Sequence, residues 1–174
     1  IGMKDYTLYK CQICGDPYLG DEPPVNCPYC GAKKHYFVDG RDYVSPFTQE
    51  HNFTAAEQAN FQAALDIEIG NASFYRTAAE ISAEDFYKWL FKALMKVESE
   101  HASIFAKHLK VTKPSLIEVE ASTDGEENVQ ESHRREKIAI DSYRKFAEAA
   151  TTPRAKQVFS ALVEIEEDHL SLED

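Results

Sequence analysis

The sequence predicts a mainly α protein in which a four-helix bundle follows a small cysteine-rich module. Three observations support this fold class. All four cysteines lie between positions 11 and 30, apolar residues recur at helical spacing from about residue 54, and the second half of that helical region repeats the first. With 174 residues, 43% of them hydrophobic, the chain can build one ordinary core and a satellite module. We therefore expect a module over residues 1–47 and a bundle over residues 48–174.

The charge of the chain limits its partners. Nineteen basic residues against 30 acidic residues give a formal net charge of −11, which repels nucleic acid phosphates and anionic membrane surfaces. No apolar run approaches the roughly 20 residues of a membrane span, and the N-terminal residues lack the apolar segment of a signal peptide. We expect a cytoplasmic protein that binds neither nucleic acid nor membranes.

The cysteines form two Cys-x-x-Cys pairs, Cys11 with Cys14 and Cys27 with Cys30. Each pair can form a tight turn whose backbone amides point at the sulfurs, so the four thiolates can surround one tetrahedral metal ion. Gly15 and Gly31 each follow a pair and supply the unusual backbone angles of such a turn. Two disulfides are the alternative, which a reducing compartment disfavours. The spacing fits either zinc or iron.

The helical spacing predicts four helices. A capping-box pattern, Thr54-Ala-Ala-Glu57, opens the first helix, and a proline at position 153 opens the last. A loop of roughly a dozen residues divides the four into two pairs. The predicted helices span about 54–81, 83–110, 126–150 and from 153 toward the C-terminus. Two helices, a long crossover and two further helices are the topology of a ferritin-like bundle.

The internal repeat aligns residues 61–106 with 129–174 at an offset of 68 positions. Each copy holds a lone glutamate, a tyrosine seven residues later and a Glu-x-x-His motif whose side chains share one helix face. A single glutamate or histidine is more often an ordinary helix residue, but the repeated set predicts four carboxylates and two imidazoles at the bundle axis. Buried alone, each would cost on the order of several kcal/mol, which two divalent cations would offset. The matched residues are Glu68 and Glu136, Tyr75 and Tyr143, Glu98 and Glu166, and His101 and His169.

These segments resemble a known family. The stretch YKCQICGDPYLGDEPPVNCPYCGAKKHYF resembles the rubredoxin-like module of rubrerythrins, and EIGNASFY, VESEHASIF, EKIAIDSYRKFA and IEEDHL are similar to their four helices. The module stands before the bundle, as in reverse-order rubrerythrins. The resemblance implies iron in the four-cysteine site and a non-haem di-iron site in the bundle, with zinc possible in either. The implied di-iron ligands are Glu68, Glu98, His101, Glu136, Glu166 and His169.

The resemblance also implies roles for single residues. Glu98 and Glu166 would bridge the two irons. Tyr75 and Tyr143 lie two turns along from the lone glutamates, where their hydroxyls would donate hydrogen bonds to ligand carboxylates. Ordinary core tyrosines are the alternative.

The third helix departs from the family pattern at His133, three residues before Glu136, where the first helix has Leu65. Family members typically carry an extra carboxylate about one turn from this glutamate. His133 is therefore either a seventh metal ligand or a surface residue. The remaining histidines, at positions 35, 51 and 108, have no such partners.

The implied function is peroxide reduction, in which the iron of the four-cysteine site passes electrons from a donor protein or reductase to the di-iron site. Iron oxidation and storage, or oxygen scavenging, are alternatives of a different class. A redox module argues against storage, which needs no path for returning electrons. In a third, non-enzymatic interpretation, both sites hold structural zinc.

The distance between the two sites suggests an oligomer. Glu68 lies 14 residues beyond Thr54, which at 1.5 Å per residue is roughly 20 Å along the helix. Electron tunnelling falls exponentially over such a gap. We therefore expect a homodimer or larger homo-oligomer in which the module of one chain serves the bundle of another, as the head-to-tail dimers of the family imply.

Overall fold

A computed structural model of the chain describes residues 5–172. Its N-terminal part is a three-stranded antiparallel sheet in the order β2-β1-β3. Tyr9 at the centre of β1 faces Tyr18 on one side and Asp39 on the other. A short 3-10 helix, Lys34–Tyr36, precedes the third strand. The strands are β1 Thr7–Cys11, β2 Pro17–Gly20 and β3 Phe37–Asp39.

Four long helices form the rest of the molecule, and the mainly α, ferritin-like prediction is confirmed. They are α1 Ala55–Ile81, α2 Asp85–Leu109, α3 Gly125–Ala149 and α4 Pro153–Leu170. The first packs along the second and the third along the fourth, and α1 also contacts α3. A long crossover without helix or strand joins the two pairs. Within the described residues, no helix combines the length and apolar composition that crossing a membrane requires.

Glu57 ties the beginnings of α1 and α4 together. It completes the predicted capping box, because Thr54 Oγ1 accepts from the Glu57 N–H at 3.0 Å and Glu57 Oε1 accepts from the Thr54 N–H at 2.9 Å. The same carboxylate accepts hydrogen bonds from the backbone N–H groups of Thr151 and Thr152 and from the Thr152 hydroxyl. One buried side chain thereby satisfies backbone donors at two helix ends.

One apolar core continues from the bundle into the module. Ile13 and Phe37 of the module belong to the same buried cluster as Phe61, Phe159 and Ile165 of the bundle. The module is therefore packed onto the bundle of its own chain, because its small sheet has too few apolar residues to form a separate core.

The Glu57 contacts predict an acid-sensitive part of the stability. Burial by itself would raise the pKa of Glu57, but the hydrogen bonds from Thr152, Thr54 and Thr151 lower it to about 2. The stabilisation is therefore complete above the ordinary carboxyl pKa of about 4.5 and is lost as the pH falls towards 2. Glu57→Ala should lower the free energy of unfolding of the metal-free protein by about 3 kcal/mol at pH 7.

Urea denaturation at pH 7 and at low pH measures this effect. Glu80→Ala, which removes an exposed glutamate from the same helix, is the control and should change little. An equal loss in both variants, or a Glu57→Ala loss that does not shrink on acidification, would contradict the role assigned to Glu57.

Candidate metal centres

Four buried cysteine thiols surround one point in the module. Cys11 Sγ lies 3.8 Å from Cys30 Sγ, and Cys14 Sγ lies 3.7 Å from Cys27 Sγ. A regular tetrahedron with metal–sulfur bonds of about 2.3 Å has edges of about 3.8 Å. All four cysteines are free thiols, so the disulfide alternative is wrong. The sulfurs have the spacing of ligands to a single metal ion.

Two backbone turns, both predicted from the sequence, position the four cysteines. Gly15 donates its N–H to the Cys11 carbonyl at 2.8 Å, and Gly31 donates to the Cys27 carbonyl at 2.9 Å. Both glycines have positive φ, 82° and 88°, which other residues rarely adopt. The Cys30 N–H points at Cys27 Sγ at 3.5 Å, so amide dipoles favour a thiolate there.

The bundle interior holds two groups of metal-ligating side chains. In each group, one ligand atom from every residue lies within 4.8 Å of the others. Glu98 and Glu166 belong to both groups, an arrangement that fits two cations sharing two carboxylates. The first group is Glu68, Glu98, His101 and Glu166, and the second is Glu98, Glu136, Glu166 and His169.

The hydrogen bonding of His101 shows why a cation fits here. Its Nε2 lies 2.7 Å from the carbonyl oxygen of Cys30, which can only accept, so Nε2 carries a proton. In the neutral ring, Nδ1 then presents a lone pair. That atom has no hydrogen-bond partner and lies 3.2 Å from Glu166 Oε1 and 3.4 Å from Glu68 Oε2. A lone pair among carboxylates is repelled unless a cation or a proton lies between them.

The buried carboxylates lead to the same conclusion. Glu68, Glu98, Glu136 and Glu166 each have a buried oxygen without a hydrogen-bond partner. Burial, followed by repulsion from Glu98, raises the pKa of Glu68, and burial and repulsion from Glu166 raise the pKa of Glu136. Burial would lower the pKa of His169, but hydrogen bonds to Glu166 and Glu98 raise it to about 9. In the metal-free protein, protons take the place of the cations.

Two tyrosines connect the repeats to each other. Tyr75 of α1 donates to Glu136 of α3 at 2.5 Å, and Tyr143 of α3 donates to Glu68 of α1 at 2.6 Å. Both rings are fully buried. Ser132, which the sequence did not single out, lies 2.8 Å from the Tyr75 hydroxyl. Each hydroxyl holds one glutamate oxygen and leaves the other free to bind a metal.

His133 belongs to neither group of ligands. Its Nε2 lies 3.2 Å from the backbone carbonyl oxygen of Leu172, two residues beyond the end of α4, and the ring is partly exposed. Among the described residues His133 therefore has the contacts of a surface residue, and its role as a seventh ligand stays a prediction. Its position three residues before Glu136 was the only signal for a ligand role, and this spacing places two side chains on one helix face without fixing how far each ring reaches towards the axis.

The structure adds a small acidic group that the sequence did not reveal. Asp16 and Glu100 each place an oxygen near Cys14 Sγ. Burial and a hydrogen bond with Asp16 raise the pKa of Glu100 to about 7. Asp16 is a chain neighbour of Cys14, but only the packing of the module on α2 brings Glu100 to them, so the sequence carries no signal for the group.

The module lies directly against the bundle centre of the same chain. The hydrogen bond from His101 to the Cys30 carbonyl joins a residue of the thiol cage to a residue of the first bundle group. Around it, Lys33 pairs with Asp168 at 2.7 Å, and the Tyr36 hydroxyl lies 3.3 Å from Glu164. These contacts fix the module along α4.

The roughly 20 Å from the start of the first helix to Glu68 does not separate the module from the bundle centre, because Cys30 and His101 are in hydrogen-bond contact. Counting residues along the first helix assumed that the module stays at the helix start, whereas the chain before α1 folds back along the bundle. The argument that one chain must serve another therefore fails. The homodimer or larger homo-oligomer stays a prediction.

Comparison with known proteins agrees with both centres. The protein-family model for the rubredoxin-like domain of rubrerythrin matches residues 9–38. The protein-family model for rubrerythrin matches residues 59–172. The second match covers more than half of the chain, which therefore belongs to the rubrerythrin family.

The name of one similar protein describes the domain order that the sequence predicts for this chain. Reverse rubrerythrin-1 of Clostridium acetobutylicum is 31% identical over 114 residues, which cover 58% of this chain and 61% of that protein. The chain thus spans about three-fifths of the length of this relative. No solved structure matches the chain significantly.

Metal binding to the bundle should release protons. At pH 7.5 the metal-free site holds a proton on His169, because its pKa is about 9, and a bound metal requires the neutral ring. The apparent affinity for zinc should therefore rise with pH up to about 9. Calorimetric titration in buffers of different ionisation enthalpy counts the released protons, and His169→Gln should release at least one proton fewer. Equal proton release by both proteins would contradict this protonation state.

Proposed function

We propose that this protein reduces hydrogen peroxide to water at a di-iron site in the bundle, with electrons relayed by iron at the four-cysteine site. The observation that carries the proposal is the direct link between the two centres, the hydrogen bond from His101 to the Cys30 carbonyl. A protein that only stores iron has no use for such a link. Membership of the rubrerythrin family supports iron in both sites.

Two irons held by carboxylates would supply the two electrons that splitting one O–O bond requires, since oxygen ligands stabilise the ferric state. The overall reaction consumes one peroxide, two electrons and two protons and yields two waters. Burial and the nearby carboxylates raise the pKa of both Tyr75 and Tyr143, so their hydroxyls stay protonated at neutral pH. They hold Glu136 and Glu68 in place and keep a proton at each of these oxygens.

The relay runs through few atoms. It begins at the Cys30 sulfur, follows the bonds of that residue to its carbonyl, crosses a hydrogen bond of 2.7 Å and enters the His101 ring. The opposite ring nitrogen faces Glu68 and Glu166. The imidazole of His101, with one nitrogen on the Cys30 carbonyl and the other facing the bundle carboxylates, is therefore the connection between the two centres.

Peroxide has an approach to the second group of ligands. A cavity of about 370 Å³ lies between the second cysteine turn and the end of α4, and His169 lines it. The His169 side chain is 12% exposed, whereas the His101 side chain is 0% exposed. Lys33 and Asp168 form part of the cavity wall, so its rim is polar and admits a small polar substrate.

Glu166→Gln tests the bundle centre. The variant keeps the side-chain shape but removes a charge shared by both groups of ligands, so bundle iron and peroxide turnover should fall, the latter at least ~100-fold. The absorption of the tetrathiolate iron should remain. Glu167→Gln, which changes an exposed neighbour on the same helix, should behave as wild type.

The measurement is stopped-flow mixing of the anaerobically reduced protein with peroxide or with oxygen, together with metal analysis. Retained turnover in Glu166→Gln would refute the role of the bundle. Faster oxidation by oxygen than by peroxide would favour oxygen scavenging, and zinc in the cysteine site of protein grown with iron would refute the relay.

The folded-back module predicts electron transfer within one chain. A chain with Cys27→Ser and Cys30→Ser should be inactive, as should a chain with Glu98→Gln and Glu166→Gln. Oligomers that contain one of each should also stay inactive, because neither chain has both centres. Native mass spectrometry verifies that the mixed oligomers form, and oligomers of wild-type and inactive chains serve as the positive control. Recovered turnover in the mixed oligomers would show that electrons cross between chains.

A further inference from the structure

Arg154 is a buried cation whose direct partners are all neutral. Its side chain lies in the first turn of α4 and is only 4% exposed. Nε donates to His108 Nε2 at 3.0 Å, and Nη2 donates to the Ile13 carbonyl at 2.9 Å. Nη1 donates to the Gln12 carbonyl at 2.7 Å and to Gln157 Oε1 at 2.9 Å. These bonds use four of the five N–H donors of the guanidinium but do not neutralise its charge.

No carboxylate supplies a countercharge to Arg154. Within residues 5–172, no aspartate or glutamate forms an ion pair with it. The N-terminus of a helix is the positive end of its dipole, where a cation is disfavoured. Lys107 adds a second cation, since its Nζ lies 5.0 Å from the centre of the Phe47 ring, over which Arg154 also lies at 5.3 Å. A buried cation in such a place is costly unless an anion lies near.

His108 does not supply a negative charge to compensate Arg154. Burial lowers its pKa to about 3, so the ring is neutral at physiological pH and accepts the Arg154 hydrogen bond. Burial lowers the pKa of Arg154 only to about 10, so the guanidinium keeps its charge. The countercharge must come from another group.

The cysteine cage is that group. Gln12 and Ile13 are the two residues between Cys11 and Cys14, so the guanidinium donates to both carbonyls of the first cysteine turn. Four thiolates around ferric iron carry one net negative charge. Reduction adds one electron and no proton, so the charge doubles and its attraction to a nearby cation grows.

We infer that Arg154 is the counter-ion of the tetrathiolate iron and raises its reduction potential by stabilising the reduced state. Its hydrogen bonds to Gln12 and Ile13 also position the first cysteine turn on the bundle. The role rests on the proposed iron in the four-cysteine site. In this proposal, a residue of the bundle tunes the reduction potential of the iron in the module.

The sharpest test neutralises Arg154 without removing it. Gln157→Glu places a carboxylate where the amide oxygen already accepts from Nη1, so no hydrogen bond is lost. In protein reconstituted with iron, the ratio of reduced to oxidised tetrathiolate iron at a fixed potential should fall at least tenfold, which corresponds to about 59 mV for one electron. Spectroelectrochemical titration with redox mediators measures this ratio from the charge-transfer absorption of the site.

Three further variants separate charge from packing. Arg154→Met removes the cation and should shift the ratio in the same direction. Arg154→Lys retains the charge and should stay within about threefold of wild type. Gln49→Glu adds a carboxylate to an exposed residue of the same region and should also stay within about threefold.

A wild-type potential in Gln157→Glu with an unchanged spectrum would overturn the inference. Equal shifts in Arg154→Lys and Arg154→Met, or in Gln49→Glu and Gln157→Glu, would do the same, because the specific cation would then be irrelevant. If Arg154→Met does not bind iron, the reduction potentials of Gln157→Glu and Arg154→Lys still test the inference. Reconstitution with iron makes the result independent of the native metal, so zinc in the native protein would refute the proposed relay and leave this test valid.

Discussion

Four carboxylates enclosed by the bundle are the constraint on which the rest of the structure depends. Glu68, Glu98, Glu136 and Glu166 are completely inaccessible to water, and such charges are stable inside a protein only when positive charge or protons lie among them. The two histidines and the spacing of the unpartnered oxygens provide for two cations. Helix packing is therefore organised around metal binding, and the apolar core occupies the two ends of this polar centre.

The same constraint explains how the module sits on the bundle. For Nδ1 of His101 to face the carboxylates as a lone pair, Nε2 must carry the proton, and this buried N–H needs an acceptor for its hydrogen bond. The Cys30 carbonyl supplies it. One hydrogen bond thus fixes the tautomer of a metal ligand, completes the wall of the bundle centre and brings the sulfur cage close to it. Arg154 has a corresponding place at the first cysteine turn, where a bundle residue satisfies carbonyls of the module.

Much of the fold could be predicted from the sequence because its signals are local or repeated. The capping box at Thr54 acts through hydrogen bonds within one turn, the proline at position 153 acts through its fixed φ, and the structure confirms both helix starts. The 68-residue offset indicated which glutamates and histidines act together, since residues that match between two repeats lie on the same face of equivalent helices. His133 shows the limit of such reasoning, because nearness in sequence to Glu136 did not bring its ring into the centre.

By itself, the sequence determined the four helices, the two Cys-x-x-Cys turns and the residue types of both centres, because helix periodicity and ligand spacing act over a few residues. Only the tertiary structure decided how the parts meet. It decided that Tyr75 and Tyr143 each bind a glutamate of the other repeat, that Cys30 meets His101, and that a cation of α4 lies behind the first cysteine turn. Those contacts join residues from 61 to 142 positions apart, and their partners are selected by packing and by the need to satisfy buried polar groups, neither of which leaves a pattern along the chain.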